Sequence, residues 1–127
     1  MRLAWAGVFG LLFAASRASA ATCEELHALP LAAAHVTAVA TVAAGTFRPP
    51  NLPKETPTPP VYASLPAFCR VAATLTPTGD SDIRIEVWLP IDGWNGKFEA
   101  VGNGAWAGVI PYGSLAGAVA GGYASAG

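Results

Sequence analysis

The chain is expected to fold as α/β, with antiparallel strands first, then a loop, a short helix and the start of a further strand. Two observations lead there. In Asp82–Leu89, Ile83, Ile85, Val87 and Leu89 alternate with Asp82, Arg84, Glu86 and Trp88, which is the period of a half-buried strand. After two turn signals and another short strand, the small-residue loop Gly102–Gly108 leads into an apolar stretch, Pro111–Ala120, followed by Gly121-Gly122. A proline in the first turn and glycine past the end are the marks of a short helix.

Taken in order, the chain opens with Met1-Arg2, the apolar run Leu3–Ala15 and the small residues Ala18-Ser19-Ala20. This is the layout of a secretory signal peptide cleaved after Ala20, and it predicts a secreted or periplasmic product. The alternative, a membrane anchor, needs roughly 20 apolar residues, more than this run supplies. No membrane partner is therefore expected once the signal is removed. Without Arg2 and Arg17, five basic residues face eight acidic ones, a net charge of −3. The full chain of 127 residues is 53% apolar and 12% charged, with a net charge of −1. That is enough for one modest core, and it offers no basic footprint for a nucleic-acid partner.

Thr22 and Glu25 have capping-box spacing, which predicts a short helix over Cys23–His27, ended before Pro30. Residues 35–44 are rich in Val and Thr and read as a strand closed by Gly45. His27 and His35 lack a clustered carboxylate or thiol, so both are read as solvated surface rather than catalytic or metal-binding. The seven prolines between Arg48 and Pro66 predict an extended connection without regular hydrogen bonding.

Order returns at Cys69, where Val71, Ala73 and Leu75 alternate with Arg70, Ala72 and Thr74. Pro77-Thr78-Gly79-Asp80 forms a turn into Asp82–Leu89, and Pro90 ends that strand. Asp92-Gly93 and Asn95-Gly96 reverse the chain into Lys97–Val101. These three strands are expected to form an antiparallel meander. Tyr123–Ala126 reads as a strand just beginning, so the chain looks cut rather than finished.

Cys23 and Cys69 are the only cysteines. In an oxidising compartment a Cys23–Cys69 disulfide is the default, with pairing to cysteines elsewhere or two buried thiols as the alternatives. Two cysteines with distant histidines make a poor metal site.

Five blocks, in this order, resemble the N-terminal portion of the tannase/feruloyl esterase family: Pro66–Val71, Ile85–Pro90, Trp94–Phe98, Val101–Gly108 and Gly122–Ala124. The resemblance covers essentially all of the chain after the signal. It implies a secreted α/β-hydrolase of which the strands, loop and helix are the N-terminal part of the sheet, incomplete as given. Residues 1–20 would be the signal, 21–66 an N-terminal helix, strand and Pro-rich connection, and 67–127 the start of the core, stopping before the nucleophile elbow. It also implies an aromatic ester substrate for the full-length protein, a Ser-Asp-His triad, and a calcium ion expected only in the lid of a full-length member. The family's N-terminal disulfide corresponds to Cys23–Cys69.

The triad itself is missing from the chain. Ser114 and Ser125 do not sit in a G-x-S-x-G elbow, and no acidic residue follows Glu99. A serine without an adjacent base is a poor nucleophile, so the chain alone is expected to be inert. One catalytic element is implied within it. In α/β-hydrolases a backbone N–H from the loop after the third strand helps to bind the oxyanion, which points to Gly104 or Ala105. Ala105 stands where the family commonly has a second glycine, and it would be strained there if the position requires positive φ. The alternative is a glycine turn that only lets elements pack.

Two other functions compete with this reading. Gly102-x-Gly104-x-x-Ala107 matches the dinucleotide fingerprint, but it follows a strand of the expected meander and lacks an acidic residue about 20 positions on. A small secreted binding or structural domain, complete at 127 residues, could present Trp88, Trp94 and Trp106 to a ligand.

Overall fold

A computed structural model describes residues 21–127; the expected signal segment lies outside the described residues. A 3₁₀ turn, Glu24–Ala28, precedes strand β1 (Ala34–Val42), the one-turn helix α1 (Pro60–Ala63), β2 (Phe68–Leu75) and β3 (Ile83–Pro90). Then come β4 (Phe98–Ala100), helix α2 (Tyr112–Ala120) and β5 (Ala124–Ala126). The five strands form one mixed sheet in the order β1-β2-β3-β5-β4.

The N-terminal turn uses half of the expected capping box. Thr22 N–H donates to Glu25 Oε2 at 2.7 Å, but Cys23 is the capping residue and no side chain caps the turn. Thr41 Oγ1 donates to Glu24 Oε1 at 2.9 Å, which ties the turn to β1. The Cys23–Cys69 disulfide closes the same contact with Cα atoms 5.6 Å apart, an ordinary span for a bridge. The strand expected over 35–44 is present as β1, with a register shift between Val36 and Ala38.

The proline-rich connection is not wholly irregular, as expected, because it contains α1. Pro60 occupies the first helical turn, where its missing N–H leaves no bond unmade. Arg48 organises the rest of the connection from within. Its guanidinium donates to Thr58 Oγ1 at 3.1 Å, to Thr56 O at 2.8 Å and to Pro53 O. Phe47 and Leu65, at the two ends of the connection, are buried in the core.

β1, β2 and β3 are antiparallel neighbours, but the expected meander stops there. β4 does not pair with β3. β5 lies between them, antiparallel to β3 and parallel to β4. The two turns do reverse the chain, with Gly93 at φ 70° and Gly96 at φ 79°. They carry it far enough across the edge to leave room for one more strand at a spacing of about 4.8 Å. Asn95 holds this wide turn against the α2–β5 link: its N–H donates to Gly122 O and its Nδ2 to Gly121 O, each at 2.9 Å. At Gly122, φ is 78° and a Cβ would come within 2.8 Å of Gly93 O, so both conformation and space require glycine.

Directly paired residues share a sheet face. Phe68, Arg70 and Ala72 therefore lie on the face of Pro90, Trp88 and Glu86. Helix α2 covers this face with Leu115, Ala116 and Val119, packed around Trp88, Phe68 and Phe47. Trp88 is fully buried, with Phe68 stacked on it at 4.4 Å between centroids and Phe47 edge-on at 4.6 Å. This corrects the reading of Trp88 as an exposed aromatic, whereas Trp94 and Trp106 are exposed. The alternation in β3 holds, but the polar-looking face carrying Glu86 and Trp88 is the more deeply buried one. Ile83, on the apolar-looking face, is exposed.

The disulfide spans 46 residues of sequence, and in the chain-entropy model a loop of that size contributes about 4 kcal/mol. Replacing both cysteines by alanine in the intact protein is expected to lower the unfolding free energy by up to that amount. A urea titration of wild type and double variant measures it; coincident midpoints would show that the bridge adds nothing.

Candidate functional site

Parallel strands place their C-terminal ends side by side, and crevices beyond those ends are where α/β folds bind ligands. Here β4 and β5 are the parallel pair, joined by the loop and α2. The loop leaves β4 at Val101, whose N–H donates to Ala126 O at 2.8 Å, and returns through Pro111 to α2. Gly127 fits between the two limbs: a Cβ there would meet Val101 Cγ2 at 2.9 Å and Pro111 Cδ at 3.0 Å.

The loop is closed on itself by side-chain and main-chain bonds. Asn103 Nδ2 donates to Val109 O at 2.8 Å, and Ala107 N–H reaches Gly104 O at 3.4 Å. Among the described hydrogen bonds, the N–H groups of Gly104, Ala105 and Trp106 have no acceptor. Gly104 and Ala105 are exposed, and Trp106 stands entirely in solvent. Ala105 has φ 51°, so the position does take the left-handed conformation in which alanine is strained. A cavity of about 650 Å³ lies beside the loop, between Asp82 and Arg84 at the start of β3 and Asn103, Gly108 and Val109. Gly104 and Ala105 do not line it.

The β4–loop–α2–β5 arrangement is a βαβ unit, so the fingerprint Gly102-x-Gly104-x-x-Ala107 does follow a strand of such a unit, contrary to expectation. It still fails as a dinucleotide site. That motif opens its helix directly, so that the pyrophosphate sits on the helix N-terminus, whereas α2 begins only at Tyr112.

The remaining polar candidates are scattered. Ser114 lies in the first turn of α2, and Ser125 is fully buried in β5 with its hydroxyl unpartnered. His27 and His35 are exposed, on the 3₁₀ turn and on β1 at the far edge of the sheet. No described hydrogen bond joins either serine to either histidine. Among the described residues no three His, Cys, Asp or Glu side chains cluster as metal ligands would.

A buried charge network lies beneath the loop's return. Glu86 is 3% exposed. It accepts from Arg70 Nε at 2.8 Å and from Arg70 Nη2, from Trp88 Nε1 at 2.8 Å, and from Tyr112 Oη at 3.0 Å. Burial pushes the Glu86 carboxyl up, but the hydrogen bonds from Arg70, Trp88 and Tyr112 and the charge of Arg70 together outweigh it, and the carboxyl is held below its ordinary value. The hydrogen bond to Glu86, working against burial, raises Arg70. Burial first, and then the charge of Glu86, raises the Tyr112 phenol. The signal available in the sequence was the alternation of Glu86 and Trp88 with Arg70 one strand earlier. Only pairing shows that Arg70 faces Trp88 and Ala72 faces Glu86.

Because the folded carboxyl titrates below its unfolded value, the stability it contributes is complete above the ordinary carboxyl value of 4.5 and is lost as pH falls through the folded value. Glu86→Ala leaves Arg70 without its partner and is expected to destabilise by about 3 kcal/mol, the low end for a broken buried pair because Arg70 reaches water. The variant should also lose part of the acid-side dependence. Unfolding free energies from pH 3 to 7 test both; parallel pH profiles for the two proteins would reject the titration of Glu86.

No protein-family model matches the chain. It is 41% identical over 117 residues to an uncharacterized esterase of Xanthomonas campestris pv. campestris, covering 92% of this chain and 19% of that protein. A probable feruloyl esterase B of Aspergillus clavatus is 35% identical over 105 residues, covering 80% of this chain and 19% of that protein. The crystal structure of feruloyl esterase B from Aspergillus oryzae superposes with a TM-score of 0.67 at 31% identity, over 83% of this chain and 20% of that one. The chain thus spans about one fifth of the length of these relatives. Over most of its own length the chain is similar in sequence and in fold to esterases, feruloyl esterases among them, as a fragment of a tannase/feruloyl esterase family protein would be.

Proposed function

We propose that the chain is the N-terminal portion of a secreted carboxylic ester hydrolase. The whole enzyme would cleave aromatic esters, hydroxybenzoyl or hydroxycinnamoyl, by a Ser-Asp-His mechanism whose triad lies outside residues 1–127. The contribution of the chain is the loop Gly102–Val109, which would supply one oxyanion-hole amide, from Gly104 or Ala105.

The observation that carries this reading is the state of the loop amides. Among the described hydrogen bonds, the N–H groups of Gly104, Ala105 and Trp106 have no acceptor, and they lie at the C-terminal end of a parallel strand pair. When a nucleophile attacks an ester, the carbonyl oxygen takes up negative charge. Donors already fixed around that position lower the barrier without having to reorganise, and one such donor is worth roughly 10²–10³ in kcat. The sheet order supports the rest of the reading. β4 is an edge strand with Phe98, Glu99 and Ala100 exposed, so a further strand could pair there and deliver a nucleophile beside the loop. Several relatives carry the name feruloyl esterase, which supports feruloyl esters as the substrate class.

Secretion rests on the leader pattern of residues 1–20. Among the described residues no helix is long and apolar enough to cross a membrane.

Purified residues 21–127 are expected to show no hydrolysis of methyl gallate or methyl ferulate, while the intact protein turns over at least one of them; turnover by the shorter piece would refute the division of labour. Within the intact protein, Ala105→Pro removes an N–H and cannot hold φ 51°, so kcat should fall on the order of 10²-fold, far more than KM changes. Ala105→Gly relaxes the left-handed position, is expected to stabilise by about 1 kcal/mol, and keeps the amide and the activity. A wild-type kcat for Ala105→Pro would sink the oxyanion assignment.

A further inference from the structure

A carboxylate taken out of water carries a desolvation penalty of several kcal/mol, and a well-packed apolar group is often no less stable in its place. Glu86 is such a carboxylate, set in an otherwise aromatic and aliphatic core. Packing alone gives no reason for it. Its partners are directional: Arg70 from β2, Trp88 from the same strand, and Tyr112 Oη from the first residue of α2.

The backbone of Glu86 bonds to the end of β5. Its N–H donates to Gly127 O at 2.9 Å, and its carbonyl accepts from Gly127 N–H at 3.0 Å. One residue therefore holds the strand end beside the loop and the residue at which the loop returns to regular structure. Besides the packing of Ile110 and Tyr112 on the core, the start of α2 has few directional ties. Pro111 is the capping residue, no side chain caps the helix, and Tyr112 N–H turns back to Ile110 O at 3.0 Å. Among the described side-chain hydrogen bonds, Tyr112 Oη to Glu86 Oε1 is the one that joins α2 to the sheet. From Tyr112 the chain runs back through Pro111 and Ile110 to Val109, whose carbonyl accepts the closing bond from Asn103.

We propose that Glu86 and Tyr112 are positioning residues: through the Tyr112 Oη–Glu86 Oε1 hydrogen bond they hold the N-terminal end of α2, and so fix the returning limb of the loop and the direction in which its amides point. The catalytic consequence rests on the oxyanion reading given above; the structural consequence does not. Tyr112 would act without touching substrate, by restricting the loop to the arrangement in which donors are preorganised.

Tyr112→Phe in the intact protein is the test, since it removes one oxygen and keeps the ring against Phe47 and Trp88. Amide exchange is expected to speed up by about tenfold at Ala107, whose N–H bonds Gly104 O, and at Ser114 and Leu115, whose N–H groups bond Pro111 O, with exchange in β2 and β3 unchanged. For methyl ferulate, kcat should fall about tenfold with KM nearly constant, the pattern of an interaction felt only in the transition state. Glu86→Gln still offers an oxygen to Tyr112, so it should keep most of the protection at Ala107, Ser114 and Leu115 even where it loses overall stability. Wild-type exchange at these three amides in Tyr112→Phe would overturn the proposal, as would acceleration spread evenly over the whole protein. If the wild-type protein hydrolyses no ester, the functional reading fails, and the exchange experiment still decides the positioning role.

Discussion

The buried carboxylate of Glu86 is the constraint on which the rest of this structure depends. A charge at that depth is tolerable only when its lone pairs are met by donors of opposite or partial positive charge. Arg70, Trp88 and Tyr112 meet it from β2, β3 and α2. Those three donors lock the register of the central strands and the placement of the helix in one arrangement. Around them the aromatic rings of Phe47, Phe68 and Trp88 close in edge-to-face and stacked contacts, with Arg70 also lying over the Phe47 ring at 5.6 Å. The polar network supplies direction, and the aromatic cluster supplies most of the buried apolar area.

The loop follows from that arrangement. Because α2 packs across β3 and β5, the segment joining β4 to α2 must pass over the C-terminal ends of the parallel pair. Gly127 lets the limbs of the loop approach the strand end, and Asn103 closes the loop on Val109. The result is a short excursion with amide donors that have no acceptor among the described residues and one strained residue, Ala105. Strain of that kind persists where the surrounding structure determines the backbone more strongly than the residue prefers, and it gathers at functional sites.

Much of the architecture was legible from local pattern. Alternation located β2 and β3, Val and Thr content located β1, and the proline and glycine flanks bounded α2 to within a residue. The sequence blocks that resemble the tannase/feruloyl esterase family agree with the relatives found by sequence and by structure. Pairing was not legible. Two consecutive turns announce a reversal of direction, but they do not say whether the returning strand lies next to β3 or one strand further out. Nor does alternation say which face is buried: Ile83 is exposed, while Glu86, on the face that looked polar, is enclosed.

By itself, then, the sequence determined the strands and α2, their order, the loop between β4 and α2 and the resemblance to esterases, because these depend on local periodicity, turn chemistry and motif order; it missed α1. It also showed that Ala105 would be strained if its position demanded positive φ. The tertiary structure decided that the demand is real, that β5 inserts between β3 and β4, and that Glu86 joins Arg70, Trp88 and Tyr112. These outcomes needed coordinates because each depends on contacts between residues distant in the chain. Long-range strand order and the meeting of a carboxylate with its donors are set by how the faces of the sheet and helix are buried together, which no single stretch of residues encodes.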